Sequence, residues 1–240
     1  MNLIIDIGNT RAKLVIFDGE EPVAQVVTSN ETLEGLPRLL SQYQPQRGIV
    51  ASTIPFNDML LMLLESLPCP IMQLAPSTPV PICNHYATPQ TLGPDRLAAA
   101  VGAHTLMPDH DLLVIDAGTC ITYEFVDHEG NYWGGNIAPG MNMRFEAMHQ
   151  MTARLPLVSP RGESPQVGNS TETAMRSGVL RGMQYEIEGY IRHFRQQYPS
   201  LRVLLTGGDE LEIEDSLKDV ILTDKYIVPR GLNTILNYNK

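Results

Sequence analysis

Apolar and polar positions along the chain change rhythm several times, and each change marks an element. Leu3 to Ile7 is a short β-rich run that breaks at Gly8-Asn9-Thr10 and resumes from Lys13 to Phe17, the pattern of two strands and a turn. Gly19 closes a hairpin, and Pro22 to Thr28, with Val23, Val26 and Val27, predicts a third strand. From Thr32 to Tyr43 the spacing becomes helical, with Leu33, Leu36, Leu39 and Leu40 on one face. A buried strand over 48–52 and an apolar helix over 56–67 follow, the helix stopped by Pro68. Seven prolines from Pro68 to Pro94 then exclude a regular helix and predict an extended connection, either a linker between lobes or a loop facing a substrate. Leu97 to Leu106 is an Ala-rich helix.

The second half repeats this order. A hairpin over 112–127 precedes a strand over 131–137, a helix over 142–153 and a loop from Pro156 of about 13 residues. A long helix follows, with Asn169 as its cap, Glu172 as capping-box partner and Val179, Met183, Ile187, Ile191 and Phe194 as its stripe. Leu201 to Thr206 predicts a strand ending in Gly207-Gly208-Asp209. The tail reads as a short helix, a strand at Ile227-Val228 and a last helix after Gly231. Three strands, helix, strand, helix in each half makes an α/β protein of two duplicated lobes, each a mixed sheet with flanking helices, over 1–108 and 109–240.

The hairpins themselves are related. Asp6-Ile7-Gly8-Asn9-Thr10 and Asp116-Ala117-Gly118-Thr119 each end an apolar strand in Asp-x-Gly, and the aspartates match at an offset of 110. Thr10 and Thr119 match one residue earlier, because Asn9 has no counterpart. One such turn is more readily a plain β-hairpin. Two in register, at equivalent places in similar halves, point to a pair of phosphate-binding turns. Glycine lets backbone N–H groups approach an anion, threonine adds a hydroxyl, and aspartate can hold hydrated Mg²⁺ or a water.

Composition narrows the partners. A net charge of −10 argues against nucleic acid and against an anionic membrane. A phosphate ligand must then be held by backbone, a few side-chain cations such as Lys13, and bound metal. Three cysteines without C-x-x-C spacing fit a reducing compartment, and the absence of a signal-like N-terminus predicts a cytoplasmic protein. The six histidines show no zinc-ligand spacing, and there is no Walker lysine loop or G-x-G-x-x-G.

Three further motifs have two readings each. Gly93-Pro94-Asp95-Arg96 sets a carboxylate beside a guanidinium, suited to take a proton and pair with an anionic substrate group, but from spacing alone it reads slightly more readily as a helix start with an N-cap Asp and an exposed Arg. Gly207-Gly208 fits an adenosine lying on backbone, or an ordinary strand-to-helix turn. Small residues Ala174, Ser177, Gly178 and Gly182 permit close helix packing, within the chain or across a dimer.

Together the runs resemble a known family. Asp6 to Thr10, Gly93 to Arg96, Ile115 to Thr119, Gly134-Gly135-Asn136-Ile137-Ala138-Pro139-Gly140, Thr152 to Pro156, Gly168 to Thr171, Ser177-Gly178 and Thr206 to Gly208 follow the order seen in type III pantothenate kinases. These belong to the superfamily of acetate and sugar kinases, Hsp70 and actin. The resemblance implies ribonuclease H-like, actin-like ATPase lobes and ATP-dependent phosphorylation of pantothenate at its primary hydroxyl, the first step toward coenzyme A.

It implies further that Asp6, Ile7, Gly8, Asn9, Thr10, Arg11, Ala12, Lys13 and Thr119 bind ATP, with Asp6 serving Mg²⁺ of MgATP. Tyr86, Gly93, Pro94, Asp95, Arg96 and Thr171 would hold pantothenate, Asp95 would take the proton, and Asp116 would bind a monovalent cation, K⁺ or NH₄⁺. A homodimer is implied as well. The chain departs from the family pattern at Cys120, where alanine is usual, at Glu124, where aspartate is usual, and at Asn169, where lysine is common. Two other functions remain open at this point: a nucleotide-binding regulator that kept the fold with weak catalysis, and a kinase for another small alcohol or sugar.

Overall fold

A computed structural model of the chain describes residues 1–209 and 213–240. The first half contains β1 (Asn2–Ile7), β2 (Arg11–Asp18), β3 (Glu21–Ser29), α1 (Leu36–Gln42), β4 (Arg47–Ser52), α2 (Asp58–Glu65), β5 (Ile71–Gln73), β6 (Cys83–Asn84), a 3-10 turn (Pro89–Thr91) and α3 (Pro94–Leu106). The second contains β7 (Leu112–Ala117), β8 (Cys120–Val126), β9 (Asn131–Pro139), α4 (Met141–Gln150), α5 (Thr171–Gln197), β10 (Arg202–Gly207), α6 (Asp215–Lys218), β11 (Ile221–Thr223) and α7 (Ile227–Tyr238).

Strand order carries the repeat seen in the sequence. One sheet runs β3-β2-β1-β4-β5 and the other β11-β10-β7-β8-β9-β6. Written from its other edge, the second is β9-β8-β7-β10-β11, the first sheet's order, with β6 added beyond β9. In both, the hairpin strand that ends in aspartate lies next to a parallel strand from later in its half, β4 beside β1 and β10 beside β7. That parallel pairing puts the aspartates at the carboxyl ends of central strands, where open α/β sheets bind ligands.

The chain forms two compact units that are discontinuous in sequence: Met1–His110 with Glu124–Gly134 and Lys225–Lys240, and Asp111–Tyr123 with Gly135–Asp224. In the first, Leu3, Ile5, Ile7, Leu14, Ile16, Leu36, Val50 and Leu60 make a dry core between sheet and helices. Helix α7 joins this unit through α3, where backbones touch. A Cβ at Gly231 would stand 1.8 Å from the Ala98 carbonyl oxygen, and one at Gly102 2.0 Å from that of Ile227. Polar ties hold α7 to the sheet as well: Asn2 donates to Asn233 at 2.7 Å, Asn233 to the Gly19 carbonyl at 3.0 Å, and Arg47 to Asn237 at 2.6 Å.

In the second unit, α5 pins the connection that precedes it. Arg176, 7% exposed, donates to the carbonyls of Ser159 and Glu163, while Ser177 donates to that of Pro165. No described helix is long and apolar enough to cross a membrane.

Four expectations shift. The helix expected from Thr32 starts only at Leu36, because Leu33 takes a positive φ of 48° and Pro37 occupies the first turn. The cap of α5 is Ser170, whose side chain accepts from Thr173 N–H in a reciprocal capping box, so neither Asn169 nor Glu172 has that role. Ile227-Val228 is the first turn of α7, and the strand lies earlier, at Ile221–Thr223. Pro229 follows in that same first turn, where its missing N–H costs no helical bond. The proline-rich connection is extended as expected, but β6 within it pairs with β9.

Candidate active site

The turn of the first hairpin is closed by a hydrogen bond from Gly8 N–H to the Arg11 carbonyl at 2.9 Å. Asn30, just past β3, donates its side-chain amide to the carbonyls of Gly8 and Asn9 at 3.0 and 2.8 Å. With those carbonyls tied back, Asn9, Thr10 and Arg11 stand exposed on a turn of fixed shape. Asp6, 9% exposed, is the direct cross-strand partner of Lys13, so a carboxylate and a cation share one face behind the turn. On the parallel side Asp6 is in register with Ala51, which offers no polar group.

The second hairpin turns more tightly, with Gly118 N–H bonded to the Cys120 carbonyl at 2.9 Å. Gly140, just past β9, donates its N–H to the Thr119 carbonyl at 3.1 Å. A Cβ on Gly140 would meet the Gly118 carbonyl oxygen at 2.1 Å, so backbone lies directly on backbone here. Gly207 makes a second such approach: its φ is +110° and its Cβ would fall 2.1 Å from the Ala117 carbonyl oxygen. Gly208 and Asp209 both donate their N–H groups to that same carbonyl.

Asp116 differs from Asp6 in its neighbours. Its register partner on β10 is Thr206, 5% exposed, whose hydroxyl oxygen has no hydrogen-bond partner. One oxygen of Asp209 is likewise buried without a partner. Burial raises the Asp209 carboxyl above its ordinary value, against the pull of a hydrogen bond from Met141 N–H at the start of α4. Oxygens in such positions are rare unless something completes them.

Asp95 and Arg96 lie in the first unit, in the opening turn of α3. Gly93 is the N-cap and Pro94 the first helical residue. The Asp95 carboxylate folds back to accept Arg96 N–H at 2.9 Å. Burial pushes its pKa up; its own N–H and that of Arg96 pull it down, the charge of Glu124 raises it and that of Arg96 lowers it. The net direction is upward.

Arg96 is 6% exposed and gripped by Glu124, which is fully buried on β8: Nε to Oε1 at 2.6 Å and Nη2 to Oε2 at 2.8 Å. Burial opposes the guanidinium charge, but the hydrogen bonds and charge of Glu124 outweigh it and hold the pKa above its ordinary value. Tyr132 on β9 donates its hydroxyl to Glu124 Oε2 at 2.6 Å. Burial, then the charge of Glu124, keeps that hydroxyl protonated well above its usual range. The remaining arm of Arg96, Nη1, donates to the Tyr86 hydroxyl at 3.4 Å, with the guanidinium 5.4 Å from the Tyr86 ring centroid. That ring lies on Gly134, whose Cβ would be 2.9 Å away.

The first unit therefore brings together Tyr86, Gly93, Pro94, Asp95 and Arg96, and separately holds Asp6 to Lys13 in one hairpin. Asp116 and Thr119 lie in the second unit, as does Thr171, exposed as the first residue of α5. Sequence reasoning missed Tyr132, Asn30 and Thr206. Tyr132 had a signal: it is an inward position of the alternating strand β9. Thr206 stood in a run that resembles the family, but its place beside a distant aspartate depends on sheet order, as does the tie of Asn30 to a distant turn.

The family model described as type III pantothenate kinase matches residues 2–193. The chain belongs to the type III pantothenate kinase family. A type III pantothenate kinase of Phocaeicola vulgatus is 55% identical over 239 residues, covering 100% of this chain and 99% of the relative. One from Bacteroides fragilis is 52% identical, covering 100% and 98%. Among solved structures, a Baf-family protein of Campylobacter jejuni, described as a transcriptional activator, superposes with a TM-score of 0.62 at 22% identity, covering 99% of this chain and 98% of that one. An activator of 2-hydroxyisocaproyl-CoA dehydratase from Clostridium difficile, with bound ADPNP, does so at 0.52 and 13%, covering 99% and 94%. These two show the fold alone, matched over nearly the whole of each chain.

Proposed function

We propose that the protein transfers the γ-phosphoryl group of ATP to the primary hydroxyl of pantothenate, giving 4'-phosphopantothenate and ADP. The hydroxyl oxygen attacks the γ-phosphorus, the bond from that phosphorus to the β-phosphate bridging oxygen breaks, and the hydroxyl proton passes to the Asp95 carboxylate. The observation that carries the reading is Asp95 itself, held in the first turn of α3 by Gly93 and Pro94, half-buried, its basicity raised by burial. Tyr86, Gly93, Pro94, Arg96 and Thr171 are the residues proposed to hold pantothenate.

On the ATP side, the turn from Asp6 to Lys13 and the hydroxyl of Thr119 are the proposed contacts, with Asp6 toward Mg²⁺ and Lys13 toward phosphate oxygens. Phosphoryl transfer needs positioning and charge neutralisation more than covalent chemistry. A chain of net charge −10 without a Walker lysine loop fits a second, bound cation. Asp116 with the orphaned Thr206 hydroxyl is an oxygen-donor pair suited to K⁺ or NH₄⁺. When bound, that ion supplies positive charge against the triphosphate. A cytoplasmic homodimer completes the proposal.

The test is Asp95→Asn. Pantothenate-dependent ADP release should fall by about 10²–10⁴-fold. Because the folded state raises the Asp95 pKa, the stability this group contributes is present below the ordinary carboxylate range and is lost as pH rises through the raised value. Asp95→Asn should therefore melt above wild type at pH 8, and the difference should vanish toward pH 4. Wild-type turnover in this variant removes Asp95 from the role.

A further inference from the structure

One residue of the acceptor cluster lies outside the roles assigned above. Glu124 is fully buried, yet it makes three hydrogen bonds of 2.6 to 2.8 Å, two to Arg96 and one from Tyr132. A carboxylate in such a place is costly unless it is well hydrogen-bonded, and here a bidentate fork and a hydroxyl supply three bonds to its two oxygens. The arrangement has two consequences for Asp95, two covalent neighbours of which are Pro94 and Arg96.

The first concerns charge. Arg96 follows Asp95 directly and is the nearest cation in the cluster. Were its guanidinium free, the simplest pairing would be Asp95 with Arg96, and an aspartate so paired is a poor proton acceptor. Glu124 takes Nε and Nη2 of Arg96, and Asp95 receives only the backbone N–H of that residue. The second concerns geometry. With Nε and Nη2 engaged, and Tyr132 donating to the same Oε2 that holds Nη2, Nη1 is directed at Tyr86. The charged and titratable groups facing this spot are Arg96 from α3, Glu124 from β8, Tyr132 from β9 and Tyr86 from the extended connection.

We propose that Glu124 is a positioning residue that keeps Asp95 available as the proton acceptor, by taking up the charge of Arg96 and, with Tyr132, fixing the guanidinium against Tyr86. The proposal rests on the assignment of Asp95 as base, but its effect on the carboxyl group can be read without turnover. A carbon-13 titration of the Asp95 carboxyl, assigned by its loss in Asp95→Asn, is compared in wild type and Glu124→Gln. The midpoint should fall in Glu124→Gln, and kcat should fall about 100-fold, with its acid limb moved to lower pH. An unmoved midpoint in a folded Glu124→Gln protein overturns the proposal, whether or not the protein phosphorylates pantothenate.

Glu124→Gln leaves a buried guanidinium without its partner, and that variant can fail to fold. Tyr132→Phe then decides. It keeps the ion pair and removes one anchor, so kcat should drop about tenfold, and KM for pantothenate should rise because Arg96 and Tyr86 are proposed pantothenate contacts, while the Asp95 midpoint stays in place. Wild-type kcat in Tyr132→Phe overturns the positioning role. Glu124→Asp keeps the charge but is one methylene shorter, so it should hold the carboxyl midpoint at its wild-type value while losing part of kcat. A Glu124→Asp midpoint that falls as far as that of Glu124→Gln also sinks the proposal.

Discussion

The two hairpins share one strand-turn-strand pattern but differ in the neighbours that flank their aspartates. In the first, Asp6 faces Lys13 across the strand pair and Ala51 on the parallel side. In the second, the position matching Lys13 is Thr122, and the parallel neighbour is Thr206 with an unsatisfied hydroxyl. A built-in cation thus lies across from one aspartate, and a hydroxyl without a partner lies beside the other. The turns differ in the same sense. The residue just past the third strand stitches each one, but Asn30 does so with a side chain and Gly140 with its backbone. The first turn is thus adjustable by side-chain substitution, while the second is packed backbone on backbone.

The largest effect should come from that packing. Gly140→Ala places a methyl group against the Gly118 carbonyl and should cost about 4 kcal/mol or abolish folding, measured by denaturant unfolding. Asn30→Ala loses only hydrogen bonds, about 1–2 kcal/mol. Equal costs would erase the contrast between the turns.

Next in size is Lys13→Ala, which should lower kcat/KM for ATP about 100-fold, since it removes the cation that the first hairpin supplies. A change below about threefold would mean that the first hairpin does not neutralise phosphate through Lys13.

The smallest effect sharpens the second hairpin. Thr206→Val should leave the melting temperature unchanged or raised, because a buried hydroxyl without a partner contributes nothing to stability. It should raise the K⁺ concentration for half-maximal activity about tenfold, the equivalent of one lost oxygen contact. Unchanged K⁺ dependence would detach Thr206 from any cation.

What the sequence disclosed of this contrast, and what it withheld, follows from the range of the interactions. The strand-turn-strand copies, their aspartates and the missing counterpart of Asn9 are local, so they were legible before the fold was known. Gly93 to Arg96 was legible as a unit for the same reason. The replacement of Ala51 by Thr206 as parallel neighbour needs the sheet order, which no local pattern encodes. Helix α7 belongs with the first unit because Gly102 and Gly231 let two backbones touch, a contact between residues far apart in the chain. Glu124 stood out only as a departure from aspartate; its grip on Arg96 requires β8 to lie beside the start of α3. Boundaries erred where one residue overruled a pattern: Pro37 delayed α1, and the β-branched pair Ile227-Val228 reads as a strand although it forms, with Pro229, the first turn of α7.

The central claim is that this pair of hairpins, with Asp95 between them in sequence, serves phosphoryl transfer from ATP to pantothenate. The most direct measurement is ADP release under saturating MgATP and K⁺ across a panel of pantothenate, other small alcohols and sugars. The account predicts release that depends on pantothenate and yields one equivalent of 4'-phosphopantothenate per ADP. Release that ignores pantothenate, or that a sugar supports better, would contradict it.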